Sequence, residues 1–225
     1  HITTMPGYVH TTYVIEGDFY NLLDIDNLDL SKHYWTQGFN DIMSNGTKQY
    51  VASGAYSLSM FRNMYITLYN KDILNANGLD DIYEIAKNGD WTISKMSEMT
   101  KGVYNDENGN SKKDAGDMYG YVGGASTSSD PFLVSLGMRF LNVEDGEYVF
   151  STDTEKMVDI VDKLQELLFT NEGSYCVGLA GAGDSSTGTD IISIFSESRA
   201  AVCTTQVYML ESFLMNSTFS DDYGI

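Results

Sequence analysis

Between Met60 and Leu79 the chain changes local structure three times. Met60-Phe61-Arg62-Asn63-Met64-Tyr65-Ile66-Thr67-Leu68-Tyr69 is dense in β-branched and aromatic side chains and predicts an extended strand. Asn70-Lys71-Asp72 interrupts the apolar run, and Asn70 predicts a helix N-cap because its side-chain oxygen can accept an orphan backbone N–H. Ile73, Leu74 and Ala76 follow at helical spacing, and Asn77-Gly78 stops the helix with residues that tolerate positive φ. Strand, cap, helix and stop in direct succession constrain the fold more than any other stretch.

The same alternation runs through the rest of the chain. Ile2–Met5 reads as a strand end entering a turn at Pro6-Gly7. Ser31–Ser44 predicts a helix with Tyr34, Trp35, Phe39, Ile42 and Met43 on one face, followed by a short strand at Gln49–Gly54. Asp81–Lys87 predicts a helix, and Thr92 caps the next one, with Trp91 and Met96 forming a hydrophobic staple that points Trp91 into the core. Tyr119–Gly123 is a strand, Pro131–Leu141 a helix capped by Asp130, and Glu144–Phe150 a hairpin turning at Asp145-Gly146. Thr152–Phe169 predicts a long helix with a Thr152/Glu155 capping box. A Gly/Ser/Thr loop at 178–189 precedes a short helix at Asp190–Ser196, a buried strand at Ala200–Cys203, a helix at Val207–Met215 and a final strand from Asp222. Strands alternating with helices predict an α/β fold, a mostly parallel sheet flanked by helices.

Composition narrows function. Thirteen Lys and Arg against 32 Asp and Glu leave a net charge of −19, which repels a phosphate backbone and excludes nucleic acid as a partner. No apolar run approaches the roughly 20 residues of a membrane-spanning helix, and the first residues show no signal peptide. Cys176 and Cys203 form either one disulfide or two free thiols. The three histidines, His1, His10 and His33, make no H-E-x-x-H pair, and neither a G-x-S-x-G nor a phosphate-binding Gly-rich loop is present, so no catalytic role is expected.

One loop has metal-ligand spacing. In Asp106–Asp117, the residues Asp106, Asn108 and Asn110 fall on positions 1, 3 and 5 of an EF-hand-like loop, with the Lys112 carbonyl at 7, Asp114 at 9 and Asp117 at 12. Ser111 replaces the usual glycine at 6, and Asp117 is shorter than the usual glutamate. The loop reads either as a structural Ca²⁺ site or as a solvated cluster of polar turns.

Several of these stretches together resemble bacterial extracellular solute-binding proteins, the sugar-type receptors of ABC importers. Leu68-Tyr69-Asn70-Lys71-Asp72-Ile73-Leu74 through Gly78-Leu79 is similar to their "YNKdlf…aGL" segment, and Asn88-Gly89-Asp90-Trp91-Thr92 to their "NGxWT" signature. The Asp/Asn loop followed by Tyr119-Gly120, and Phe195 with Arg199-Ala200-Ala201-Val202, match further segments. The resemblance implies a periplasmic-binding-protein-like (type II) lobe, with residues 1–60 a remnant of lobe 1, 61–69 a hinge crossover strand and 70–225 lobe 2. Both ends look missing by comparison with the family. It also implies an extracytoplasmic protein at a cell surface or in a periplasm, attached to the membrane through an N-terminal lipid anchor outside this sequence. Such a protein binds a sugar or oligosaccharide between two lobes and delivers it to an ABC permease. The truncated lobe is expected to pack against another molecule.

The resemblance also implies ligand contacts. Asp130-Pro131-Phe132 matches an acidic-Pro-aromatic triplet of the maltose-binding branch. Asp130 reads there as a sugar acceptor or as a cap, and Phe132 as a stacking ring or as core. Tyr208 falls where the family carries a stacking aromatic, and Gln206 replaces its glycine. Arg62 and Asn63 lie at the crossover, where Arg62 either clamps a carboxylated sugar or pairs with one of the many acidic residues. The rival expectation is a secreted carbohydrate-active enzyme or its Ca²⁺-bearing accessory module.

Overall fold

The computed structural model describes residues 2, 4, 7–124, 129–150, 153–177, 188–215 and 219–225. Its helices are α1 (Gly7–Glu16), α2 (Gln37–Ile42), α3 (Leu58–Arg62), α4 (Lys71–Ala76), α5 (Ile82–Lys87), α6 (Ile93–Thr100), α7 (Asp130–Ser135), α8 (Thr154–Gln165), α9 (Gly188–Ser196) and α10 (Met209–Leu214). Its strands are β1 (Tyr65–Asn70), β2 (Tyr104–Asn105), β3 (Met118–Gly124), β4 (Leu141–Glu144), β5 (Glu147–Phe150), β6 (Ser174–Val177), β7 (Ala200–Gln206) and β8 (Tyr223–Gly224). The chain divides into two compact units: His1–Ser59 with Phe140–Ser151, and Met60–Arg139 with Thr152–Ile225. The hairpin at 140–151 therefore groups with the first unit, although the sequence sets it inside the range 70–225.

The second unit is built on one sheet in the order β2-β3-β7-β1-β8, with β6 pairing the later part of β3 beyond its short pairing with β2. Leu68, Val122, Tyr175, Val177 and Cys203 are buried with Ile191, Ile192, Ile194 and Phe195 of α9 and Met209 and Phe213 of α10. Tyr69, Tyr121, Cys176 and Val202 are buried with residues of α4 to α8, among them Leu74, Ile82, Met96, Phe132 and Ile160. Helices thus cover both faces of the sheet, and the α/β architecture is the one expected. Its parallel character is confined to β3 and its partners β6 and β7, whereas β1–β7, β1–β8 and β2–β3 are antiparallel. Strand polarity depends on which distant segment becomes the neighbour, and local composition does not encode that.

Local chemistry explains most element ends. Asn70 Oδ1 accepts the Ile73 N–H at 3.0 Å and starts α4, and Gly78 at φ +66 ends it. Thr92 Oγ1 accepts the Lys95 N–H at 3.1 Å and starts α6, and Trp91 packs, partly buried, on the core as expected. Asp145 (φ +52) and Gly146 (φ +82) make the turn between β4 and β5.

Some boundaries differ from expectation. Met60–Arg62 ends helix α3, and extended structure begins only at Tyr65. Tyr65 is paired with Gln206, the last residue of β7, so earlier residues have no ladder partner. The helix predicted from Ser31 starts at Gln37, because Asp29 Oδ1 accepts both the Ser31 N–H at 3.0 Å and the Ser31 hydroxyl and holds a turn there. Gln49–Gly54 contributes isolated bridges, Ser44 with Gln49 and Trp35 with Gly54, and no strand. Helix α7 stops at Ser135, where Gly137 at φ +75 turns the chain away. Helix α8 is capped by Asp153, whose side chain accepts the Lys156 N–H at 3.0 Å, while the predicted cap Thr152 and the 178–187 part of the Gly/Ser/Thr loop lie outside the described residues. Helix α1 was not expected at all, and the predicted first strand lies partly outside the described residues.

Candidate functional site

The parallel strands β3, β6 and β7 finish at one edge of the sheet. Gly124 pairs there with Val177, and β7 ends at Gln206, directly across from Tyr65, the first residue of antiparallel β1. Directly opposed residues of an antiparallel pair project from the same face, so Tyr65 and Gln206 are side-by-side groups. In open α/β sheets, ligands bind outside the carboxyl ends of the strands.

Two predicted residues join that pair. Tyr208 leaves the end of β7, its N–H donating to the Arg62 carbonyl at 2.9 Å, and it is half-buried against α9 and α10. Asp130 stands in the first turn of α7 and is exposed. Burial first, and then the charges of Asp130 and Tyr208, push the Tyr65 hydroxyl above its ordinary pKa. The edge brings together two phenols and an amide, those of Tyr65, Tyr208 and Gln206.

The other predicted residues are placed differently. Phe132 is only 8 % exposed and packs in the core with Ile160 and Leu164, so its ring has no free face for a ligand. Asp130 is not the cap of α7, which begins after Ser129. Arg62 forms an exposed ion pair with Glu211, Nη2 to Oε2 at 3.0 Å, which is the acidic pairing the sequence offered as an alternative to a ligand clamp. Asn63 follows it, exposed, at the end of α3. Tyr65 was missed by sequence reasoning. Its signal was present only in the pairing of β1 with β7, since in the sequence it is one aromatic among several.

Chemically, the edge offers hydrogen-bond donors and acceptors beside aromatic rings, which suits a neutral polyhydroxyl ligand. The described histidines, His10 and His33, belong to the first unit and not to this edge. A shallow open groove elsewhere in the second unit is lined by Lys101, Gly102, Tyr104, Lys113 and Glu172, none of them a predicted ligand residue.

The predicted metal residues occupy the connection between β2 and β3. Asp106 accepts the N–H groups of Gly109 and Ser111, each at 2.8 Å. Asn108 accepts that of Asn110 at 3.0 Å, Asn110 that of Lys112 at 2.7 Å and Asp114 that of Gly116 at 2.8 Å. Ser111 adopts φ +59, the conformation for which glycine is usual at that position. The amides of Asn108 and Asn110 hold the two Asp114 oxygens at 2.9 and 2.6 Å, and together with the Gly116 N–H they lower the Asp114 pKa. Among the described residues, no three His, Cys, Asp or Glu side chains are drawn together closely enough to hold a metal in this arrangement.

No protein-family model matches the chain, and no curated protein matches it in sequence. Solved structures are similar in fold. UspC of M. tuberculosis is 15 % identical with a TM-score of 0.54, over 96 % of this chain and 52 % of that one. The ABC substrate-binding protein Lmo0181 from Listeria monocytogenes, solved in complex with cycloalternan, is 15 % identical with a TM-score of 0.54, over 94 % and 47 %. UgpB from Mycobacterium tuberculosis, in complex with glycerophosphocholine, is 12 % identical with a TM-score of 0.56, over 95 % and 46 %. The chain spans about half the length of each of these proteins. It has the periplasmic-binding-protein-like fold that its motifs implied.

Proposed function

We propose that the chain is part of an extracytoplasmic substrate-binding component of an ABC importer, and that its sheet edge at Tyr65, Asp130, Gln206 and Tyr208 binds a sugar or oligosaccharide. The pairing of Tyr65 with Gln206 at the end of β7, followed by Tyr208, on a fold shared with substrate-binding proteins, supports the reading. Phenol and amide groups pair with sugar hydroxyls, Asp130 accepts further hydrogen bonds, and an aromatic ring offers a face for a pyranose. Delivery to a permease then follows the capture of ligand by closing lobes. No step requires a bond to be made or broken, in keeping with a binding protein rather than an enzyme.

A thermal-shift screen of mono- and oligosaccharides, run beside a glycoside hydrolysis assay on the same set, tests the proposal. A saturable stabilisation by a sugar, without turnover, is expected. Turnover of any glycoside supports the rival carbohydrate-active enzyme and overturns the transport reading, as does the absence of binding across the whole set.

A further inference from the structure

We propose that Asn45 is a site of spontaneous covalent modification, at which the Gly46 nitrogen attacks the Asn45 side chain, expels ammonia and leaves an aspartyl or isoaspartyl residue. The chain holds four Asn-Gly pairs, beginning at Asn45, Asn77, Asn88 and Asn108. A glycine has no side chain to hinder attack by its own nitrogen. All four glycines also adopt positive φ, so neither the dipeptide nor its glycine sets one pair apart. The surroundings of each asparagine do.

Asn45 stands in the turn closed by the bridge between Ser44 and Gln49. Its Oδ1 accepts three hydrogen bonds: from the Thr47 N–H at 3.0 Å, from the Thr47 hydroxyl at 3.0 Å and from the Lys48 N–H at 2.7 Å. An amide oxygen has two lone pairs, whereas the oxyanion formed when a nucleophile adds to Cγ has a third and a full charge. Three donors on one oxygen therefore fit the tetrahedral intermediate better than the starting amide, which is the condition for acceleration. The attacking Gly46 N–H donates to Ser44 Oγ at 3.1 Å, a neutral hydroxyl able to relay the proton to water.

The other three pairs are held back. Asn77 and Asn88 follow α4 and α5 with ψ of +4 and −5. The N–H groups of Gly78 and Gly89 donate to the carbonyls of Asn75 at 3.1 Å and Ala86 at 3.0 Å, so attack at either pair must first break a helix end. The Asn77 amide is tied as well, Nδ2 donating to the Ile73 carbonyl at 2.8 Å. At Asn108, the Gly109 N–H donates to the Asp106 carboxylate at 2.8 Å, a negative charge that opposes formation of the amide anion. The leaving group there is also held, Asn108 Nδ2 donating to Asp114 at 2.9 Å.

The reaction needs only water. The bond from Gly46 N to Asn45 Cγ forms, the proton lost from that nitrogen is made up on Nδ2 by solvent, and the Cγ–Nδ2 bond breaks to release ammonia and leave a succinimide. Water then opens the ring. Addition at Cγ gives aspartate, and addition at the backbone carbonyl of Asn45 gives isoaspartate, whose main chain runs through Cγ. Either product sets a carboxylate where a neutral amide stood. A methyl group placed on Gly146 would lie 3.9 Å from both the Asn45 carbonyl oxygen and Thr47 Cγ2, so the turn of the β4–β5 hairpin is next to this site. Glu144, Asp145 and Glu147 surround Gly146 in the sequence, and the new charge is repelled by them.

Peptide mapping by mass spectrometry, on the full chain aged at body temperature in mildly alkaline buffer, tests the site, with enzymatic methylation to detect isoaspartate. In the folded protein the Asn45 peptide should gain one mass unit at least about tenfold faster than the Asn77, Asn88 and Asn108 peptides. In guanidinium the four rates should converge, because the hydrogen bonds that separate them are gone. Thr47→Val removes the hydroxyl donor, keeps the backbone donor and preserves the side-chain shape. It should slow conversion of Asn45 about fivefold, the rate equivalent of one ordinary hydrogen bond. Unchanged rates at the other three pairs show that this variant is folded. Conversion of Asn45 in the folded protein no faster than at the other pairs overturns the proposal, and so does an unchanged Asn45 rate in folded Thr47→Val. Sugar binding plays no part in these readouts, so this site and the ligand edge stand or fall separately.

Discussion

The side-chain amide of Asn70 donates to Asp221 at 2.6 Å while its oxygen accepts the Ile73 N–H at 3.0 Å, and the residue is fully buried. One side chain thus caps α4 and fastens the segment that enters β8. Neighbouring bonds repeat the link: the Lys71 N–H meets the Asp222 carbonyl at 2.8 Å, and the Asp222 N–H meets the Asp72 carboxylate at 3.2 Å. Asn70→Ala removes both bonds and should cost about 2–3 kcal/mol in urea unfolding. Asn70→Ser keeps a capping oxygen but does not reach Asp221, and should cost about 1 kcal/mol. Equal losses in the two variants would show that the Asp221 link contributes nothing.

Asn70 also marks what the sequence makes legible. The caps at Asn70 and Thr92, the stop at Gly78 and the turn at Asp145-Gly146 depend on residues within a few positions of one another, and all four are found as read. The late start of α2 depends on Asp29, whose carboxylate takes the Ser31 hydroxyl that would have capped an earlier start. The antiparallel pairing of β1 with β7 joins residues about 140 positions apart in the chain, and no local pattern announces it. The candidate site divides along the same line. Asp130, Gln206 and Tyr208 stood out through motif resemblance, Tyr65 required the register, and Phe132 is drawn into the core by the helix that presents Asp130.

Phe132 and Tyr208 should therefore respond oppositely to truncation. Phe132→Ala empties a core position and should cost about 3–5 kcal/mol of stability, with ligand affinity per folded molecule little changed. Tyr208→Ala removes a half-buried ring at the sheet edge. It should lower sugar affinity about tenfold or more, since losing a stacking contact costs on the order of 1 kcal/mol or more. Isothermal titration and urea melts on both variants separate the roles. A Tyr208→Ala protein that binds as tightly as the parent removes that ring from the site.

Arg62 and Glu211 give a prediction of a small effect. Both partners of this 3.0 Å pair are substantially exposed, at 45 % and 64 % for the side chains. A double-mutant cycle of Arg62→Ala and Glu211→Ala should yield a coupling of only about 0.5 kcal/mol, shrinking further in high salt. If Arg62 also holds a ligand, Glu211→Ala frees the guanidinium and tightens binding of acidic sugars. Unchanged binding of such sugars in Glu211→Ala assigns Arg62 to the ion pair alone.

Alkali should attack the fold through its tyrosines. Burial is the first cause that raises Tyr65, Tyr69, Tyr104 and Tyr119 above the ordinary pKa of 10.0, followed by Asp130 for Tyr65, Asp81 for Tyr69 and Asp117 for the other two. Each holds its proton more tightly folded than unfolded. Their contribution to stability is therefore complete below about pH 10 and declines as the pH climbs past it toward the folded values. A titration followed by tyrosinate absorbance should show a set of tyrosines that ionise only together with loss of near-ultraviolet circular dichroism. A single smooth titration of all 16 tyrosines near pH 10, with the fold intact, contradicts this.

The two thiols should be inert and unbridged. Cys176 on β6 is paired with Gly123, and Cys203 on β7 with Val122, so β3 runs between them. They are buried in different cores, Cys176 with the helices from α4 to α8 and Cys203 with α9 and α10. Side chains on opposite faces of a sheet, with a strand between them, do not meet the geometry of a disulfide. Both are free. Burial pushes the Cys176 thiol up to about 11 and raises Cys203 as well, so almost no thiolate exists near neutrality, and thiolate is the reactive form. Ellman's reagent should therefore find almost no thiol in the native protein and both thiols after guanidinium unfolding. The intact mass should be the same before and after reduction. A mass lower by two hydrogens before reduction would show a disulfide, and with it a β6–β3–β7 arrangement different from the one described.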